Sequence, residues 1–158
     1  MKTCVYLSYK GLGANLLHLA YCHEIAKKYG PITIITLCSN LESALKDDPL
    51  VEKVFFINKY HKRFIDVLKL KRLLNTFNFD QIFIYYPSLR IYLASILSNI
   101  KKVYSYPVFK KKNLHLIKAA KKFTEKSLNI NNCPTETKFF IKKNKIEEIN
   151  KILDDRKF

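Results

Sequence analysis

The sequence predicts a doubly wound α/β domain, a Rossmann-like parallel sheet with helices on both faces. Three observations predict it. Short apolar runs alternate with longer amphipathic stretches along nearly the whole chain. The runs are apolar at successive residues, as strands covered on both faces are. The breaks between them are rich in Gly, Pro, Asn and Asp. Strict alternation implies right-handed crossovers and an expected strand order of 3-2-1-4-5. The domain is expected over residues 1–130, with a linker and C-terminal helix over 131–158.

The elements follow in order. Cys4-Val5-Tyr6-Leu7-Ser8 reads as a strand, closed by the turn Lys10-Gly11-Leu12-Gly13. Asn15 to Tyr29 reads as one amphipathic helix, with Leu16, Leu17, Leu19, Ala20, Ile25 and Ala26 set apart from Glu24, Lys27 and Lys28. Gly30-Pro31 stops it. Ile32 to Leu37 is the second strand. Asn40 caps a short helix through Lys46, broken by Asp47-Asp48-Pro49, which reads as a turn. Val54 to Ile57 is the third strand, and Phe64 to Phe77 a helix. Asp80 to Tyr85 is the fourth strand. Pro87-Ser88 opens a helix to about Ser98. Val103 to Tyr106 is the fifth strand, closed by Pro107, and Leu114 to Leu128 a helix. Asn131 to Thr135 reads as irregular, and Lys145 to Leu153 as a last helix.

Composition bounds the function classes. At 48% hydrophobic residues the chain has enough apolar material for a core, which excludes wholesale disorder. No stretch reaches the roughly 20 apolar residues of a membrane-spanning helix. The opening residues lack a signal-peptide pattern, and the expected location is cytoplasmic, with peripheral contact at the inner membrane face. The formal net charge is +16. A field of that sign attracts phosphates, whether on nucleic acid, lipid headgroups or a small substrate. Only Arg63, Arg72, Arg90 and Arg156 are arginines, and the rest of the 29 basic residues are lysines. Base readers lean on arginine for bidentate contacts, so the lysine excess reads as a solvated face and not as a nucleic-acid surface. Cys4, Cys22, Cys38 and Cys133 show no metal or redox spacing and read as buried free thiols. His18, His23, His61 and His115 are scattered, and no metal site is expected.

In an open parallel sheet, ligands bind beyond the carboxyl ends of the strands. Three loops there carry the candidates. Ser8 to Asn15 brings Lys10, Gly11 and Gly13, which allow close backbone approach beside a helix N-terminus and suit a phosphate or sugar hydroxyl. It matches neither GxGxxG nor a P-loop, and a plain tight turn is the alternative. After the fourth strand come Ser88, a helix cap by default, and Arg90, a rare arginine placed to meet an anion. After the third strand, Lys59 to Arg63 includes His61 and Arg63, either an anion contact or an ordinary solvated helix entry. Asp66 and Asp80 read as surface or strand-start residues. No nucleophile–base pair is visible.

Several segments together resemble the opening half of the heptosyltransferase-like glycosyltransferases, family nine. They are Lys10-Gly11-Leu12-Gly13 with the Leu-rich helix ending Ala26-Lys27-Lys28-Tyr29-Gly30, and Leu45 to Val54 with its Asp-Pro turn. Phe79 to Ile84 followed by Ser88-Leu89-Arg90 belongs with them, as do Asn113-Leu114-His115 and Pro134-Thr135-Glu136. The resemblance implies one lobe of a two-lobed GT-B enzyme. This lobe would bind an anionic glycan or lipid-sugar acceptor. A second lobe, which the resemblance does not cover, would bind the nucleotide-sugar donor. The implied reaction is metal-independent, inverting sugar transfer with no cofactor, as in lipopolysaccharide biosynthesis. The family's general-base Asp corresponds here to Ala14, which cannot accept a proton. His18, one turn on, is then the weak candidate for a base, and Asn15 for orienting the acceptor. Two other readings stand beside it: a non-catalytic module for a phosphorylated metabolite or anionic surface, and a basic nucleic-acid binder.

Overall fold

The computed structural model describes residues 1–57, 65–85, 87–107 and 115–140. Five strands form one sheet: β1 (Thr3–Leu7), β2 (Ile32–Thr36), β3 (Val51–Phe56), β4 (Gln81–Tyr85) and β5 (Lys102–Ser105). Every pairing is parallel and the order is β3-β2-β1-β4-β5, as expected from the alternation. Six helices accompany it: α1 (Leu12–Leu16), α2 (Leu19–Tyr29), α3 (Leu41–Leu45), α4 (Asp66–Phe77), α5 (Leu89–Ile96) and α6 (Leu116–Leu128). The expected last helix lies outside the described residues.

Strand alternation divides the core in two. Val5, Leu7, Ile32, Ile34, Phe83 and Tyr85 face one way and pack with α2, α3 and α6. Cys4, Tyr6, Ile35, Ile82 and Ile84 face the other way and pack with α4 and α5. Both sides of the central strands are therefore apolar, which is why those strands read as continuous hydrophobic runs. All five residues of β1, β2 and β4 are buried. All four cysteines are buried free thiols. Burial pushes the Cys22 thiol above its ordinary range, with Asp48 adding to the rise.

Helix ends are set locally. Gly30 closes α2 at φ 91°, a conformation that only glycine takes at no steric cost, and its N–H donates to the Ala26 carbonyl at 2.8 Å. Asn78 and Asn129 end α4 and α6 in the left-handed region, the usual stand-in for glycine.

Three details depart from the sequence reading. The helix expected over Asn15–Tyr29 is two helices, broken at Leu17-His18. The reason is competition for one carbonyl. In a continuous helix the His18 N–H would donate to Ala14 O; instead the His18 ring binds that oxygen at 2.7 Å, and the His18 N–H turns to Asn15 O at 3.0 Å. Asp66, read as a surface residue, is 3% exposed. Asp48, read as part of a plain turn, is buried: Oδ2 meets His23 Nε2 at 2.7 Å and Oδ1 accepts from the Leu50 N–H at 3.0 Å. This pair locks the turn before β3 onto α2.

Removing one member of a buried pair strands the other. Asp48→Ala is expected to lower unfolding free energy by about 3 kcal/mol. Asp48→Asn, which keeps an acceptor for Leu50, should lose less. Urea unfolding of the two variants checks the order; equal losses would show that the acceptor for the Leu50 N–H contributes nothing and that the whole loss comes from the pairing with His23.

Candidate functional site

β1 and β4 are adjacent and parallel, with Leu7 opposite Tyr85. Their following loops therefore leave the same carboxyl edge of the sheet, one toward α1 and the other toward α5. This is the topological switch point, where the chain winds outward in both directions. Lys10 is exposed on the first loop. Ser88 and Arg90 follow β4, Ser88 exposed and Arg90 half-buried. His61 and Arg63 lie outside the described residues.

The first loop is held from beneath. The Asn15 side chain, 1% exposed, donates from Nδ2 to the Gly11 carbonyl at 2.7 Å and to the Tyr9 carbonyl at 3.0 Å. Its Oδ1 accepts from Thr36 Oγ1 at 3.0 Å, and Thr36 Oγ1 accepts from the Cys38 N–H at 3.1 Å. Asn15 thus joins the loop after β1 to the end of β2. Orienting an acceptor was the sequence expectation for it; its capacity is taken up inside the fold.

Gly11 and Gly13 have ordinary negative φ, and a Cβ at either would touch nothing within 4 Å. The fold requires neither glycine. Gly13 sits inside α1, where glycine costs about 1 kcal/mol relative to alanine. The helix also begins earlier than the sequence suggested, at Leu12, with Gly11 as its cap.

His18 is 1% exposed, at the end of the break between α1 and α2. A carbonyl only accepts, so the 2.7 Å contact with Ala14 O puts the proton on Nδ1 and the lone pair on Nε2. The ring stacks on Tyr9 at 4.7 Å and meets Tyr85 edge-on at 5.3 Å. Burial pushes its pKa below the ordinary 6.5, partly opposed by the Ala14 hydrogen bond. The ring is neutral near pH 7 and lines a small gap of about 30 Å³, room for one water, with Tyr9, Tyr85 and Tyr106.

On the β4 side, Ser88 Oγ accepts from the Ile91 N–H at 3.4 Å, capping α5 as expected by default. The α5 N-terminus thereby points at the switch point, with no acidic residue in its first turn. A larger groove of about 570 Å³ lies between β5 and α6, with Tyr104, Tyr106, Phe123, Lys122 and Lys126 in its wall, and it shares Tyr106 and Ala119 with the gap beside His18. Sequence reasoning missed Tyr9 and Thr36. A polar residue at the carboxyl end of the apolar run of β2 was the available signal for Thr36. Among the described residues, no three His, Cys, Asp or Glu side chains converge as a metal site would need.

No protein-family model matches the sequence, and no curated protein matches it at a significant level. Solved structures do match in fold. A glycosyl transferase family 9 structure from Veillonella parvula DSM 2008 superposes over 99% of this chain with TM-score 0.66 at 14% identity. The E. coli heptosyltransferase WaaC superposes over 87% with TM-score 0.51 at 14% identity in its complex with ADP-2-deoxy-2-fluoro heptose. Its ADP complex superposes over 88% with TM-score 0.53 at 15% identity. The chain spans about half the length of each, 50% or 51%. The shared feature is the fold of one lobe.

Two outcomes follow from the buried polar groups. Asn15→Asp replaces a donor with a carboxylate facing two carbonyls and should lower stability more than Asn15→Ala, which is expected to cost about 1–3 kcal/mol; thermal melts of both variants decide it. His18 has a folded pKa below its unfolded value, so its contribution is complete above pH 6.5 and is lost as pH falls below it. The melting midpoint should drop on acidification, and His18→Gln should flatten part of that slope. An unchanged slope would remove His18 as a source of acid sensitivity.

Proposed function

We propose that this chain is the acceptor-binding lobe of a sugar-transferring, heptosyltransferase-like glycosyltransferase, and that it takes an anionic glycan or lipid-sugar acceptor at the β1–β4 edge. The observation that carries this reading is the switch point. Lys10 stands on the loop after β1 and Arg90 in the first turn of α5, and both segments leave one edge of the sheet. A phosphate or carboxylate there meets two cations and a positive dipole end. The lobe-length likeness to solved sugar transferases supports the same reading.

Each residue has a distinct part. Gly11 and Gly13 leave the backbone open, so a sugar hydroxyl approaches without meeting a side chain, and the cost of glycine within α1 has a use. Arg90 takes the anion, and Lys10 adds charge over it. Ser88 holds the α5 terminus while its O–H stays a donor. His61 and Arg63 are proposed as further contacts. The donor nucleotide sugar belongs to a second lobe beyond residues 131–158. Ala14 offers no base, and His18 is buried, so this lobe binds and orients while the transfer chemistry completes elsewhere in the enzyme. In the cell, such a lobe would work in the cytoplasm on lipopolysaccharide-type acceptors.

Titration with a phosphorylated sugar, followed by NMR shifts in the Ser8–Ala14 and Pro87–Arg90 backbone, tests the site. Arg90→Ala should weaken binding by about 1–3 kcal/mol. Gly13→Val should abolish close approach and leave the fold intact, because its Cβ meets open space. Unchanged affinity in both variants would remove this site. Calorimetry with a nucleotide sugar should show negligible heat for this chain alone; micromolar binding would place the donor site here instead.

A further inference from the structure

Helix α5 is apolar on the side turned away from the sheet. Ile91, Ala94 and Ser95 are its buried face. Leu89 and Ile96 lie on the opposite face at i and i+7; Tyr92 and Leu93 between them are half-buried, and Leu93 packs against the core shared with α4. Leu89, Ile96 and the following Leu97 keep 47%, 51% and 52% of their surface exposed. Helix α4 packs beside α5 on the same face of the sheet. It brings Leu68, 52% exposed, and Ile65 at its cap, 63% exposed. Scattered exposed leucines are ordinary, but five large apolar side chains left exposed on two adjacent helices and their ends mark a surface that something covers.

Charge decides between occupants. The two helices carry Lys69, Lys71, Arg72 and Arg90 against one acid, Asp66, which is buried and lies 3.9 Å from Lys69 Nζ, so the net balance is three positive charges. Lys101 follows, exposed near the end of α5. A second copy of a chain carrying +16 would bring like charge against this surface. A surface of anionic headgroups over hydrocarbon satisfies both features at once: the apolar patch enters the headgroup boundary and the cations meet lipid phosphates.

We propose that the outer face of α5, flanked by α4, docks on an anionic lipid membrane. Docked this way, the chain holds the start of α5, with Ser88 and Arg90, close to the bilayer. The inference does not depend on the acceptor reading, and vesicles carrying neither sugar nor nucleotide test it alone.

The experiment is co-sedimentation of the 158-residue chain with phosphatidylcholine vesicles, with and without phosphatidylglycerol. Two variants accompany it. Ile96→Gln/Leu97→Gln removes apolar anchors without changing charge. Lys69→Gln/Arg72→Gln removes charge and keeps the apolar patch. All four positions are exposed, and circular dichroism melts confirm that each variant folds. The wild type should bind only phosphatidylglycerol-containing vesicles. The apolar variant should bind about tenfold more weakly at every salt concentration. The charge variant should bind more weakly at low salt and converge on the wild type as salt rises. Failure to bind anionic vesicles would overturn the proposal. Full retention of binding by the apolar variant would overturn it too, because attraction would then be charge alone. A dimer in light scattering that the apolar variant dissolves would assign the patch to a second copy instead.

Discussion

The geometry of the candidate site depends on one buried amide. Asn15 donates to two loop carbonyls and accepts from Thr36, so the loop after β1, the first turn of α1 and the end of β2 are fixed by one side chain. A loop normally satisfies its backbone in water or in a tight turn. Here two of its carbonyls are satisfied from inside the protein, which frees the outer side of the loop for solvent or a ligand. An amide does this and a carboxylate does not, because two of the three contacts need a donor. The exposed Lys10 is therefore carried on a braced platform.

The break between α1 and α2 follows from the same crowding. Asn15 commits α1 to the β1 loop, and α2 must lie on the sheet with Tyr21, Cys22 and Ile25 inward. His18 makes the change of direction inexpensive. Its ring takes the carbonyl that the helix gives up, and its neutral state suits a site walled by Tyr9 and Tyr85. A charged imidazolium there would carry the desolvation cost that lowers its pKa. The same residue that the sequence offers as a stand-in base is thus committed to the joint between two helices.

The fold was legible because its signals are local and redundant. Alternation of β-branched runs such as Ile32–Thr36 with amphipathic stretches such as Asp66–Phe77 implies a parallel sheet, and crossover handedness leaves few strand orders. Gly30 and Ser88 were readable as a stop and a cap because their backbone roles depend on residue type. The polar contacts were not readable. His23–Asp48 spans 25 residues and Asn15–Thr36 spans 21, and neither pair has a spacing rule. The helix break escaped for a related reason: periodicity continues through Leu17-His18, and only the side-chain contact to Ala14 reveals the interruption. The apolar residues of α5 were present in the letters, but which of them stay exposed depends on how α5 packs against α4 and the sheet.

At the central strands β1 and β4 the charge differs between the two ends of the sheet, whereas α3 and α4, which follow β2 and β3, carry Glu42 and Asp66 in their first turns. Asp80 immediately precedes β4, and Asp48 lies three residues before β3, at the amino end of the sheet, where Asp80 accepts from the Lys2 N–H at 2.8 Å. The loops Ser8–Gly13 and Pro87–Arg90, at the other end, contain Lys10 and Arg90 and no acid. The α5 dipole adds its positive end to the same side. An overall charge of +16 makes the whole surface attractive to anions without choosing a place. The choice comes from strand polarity: a parallel sheet sends every following loop to one edge, and at the switch point two cationic loops have no helix between them. The lysine-rich surface draws an anion in, and the fold determines which edge receives it.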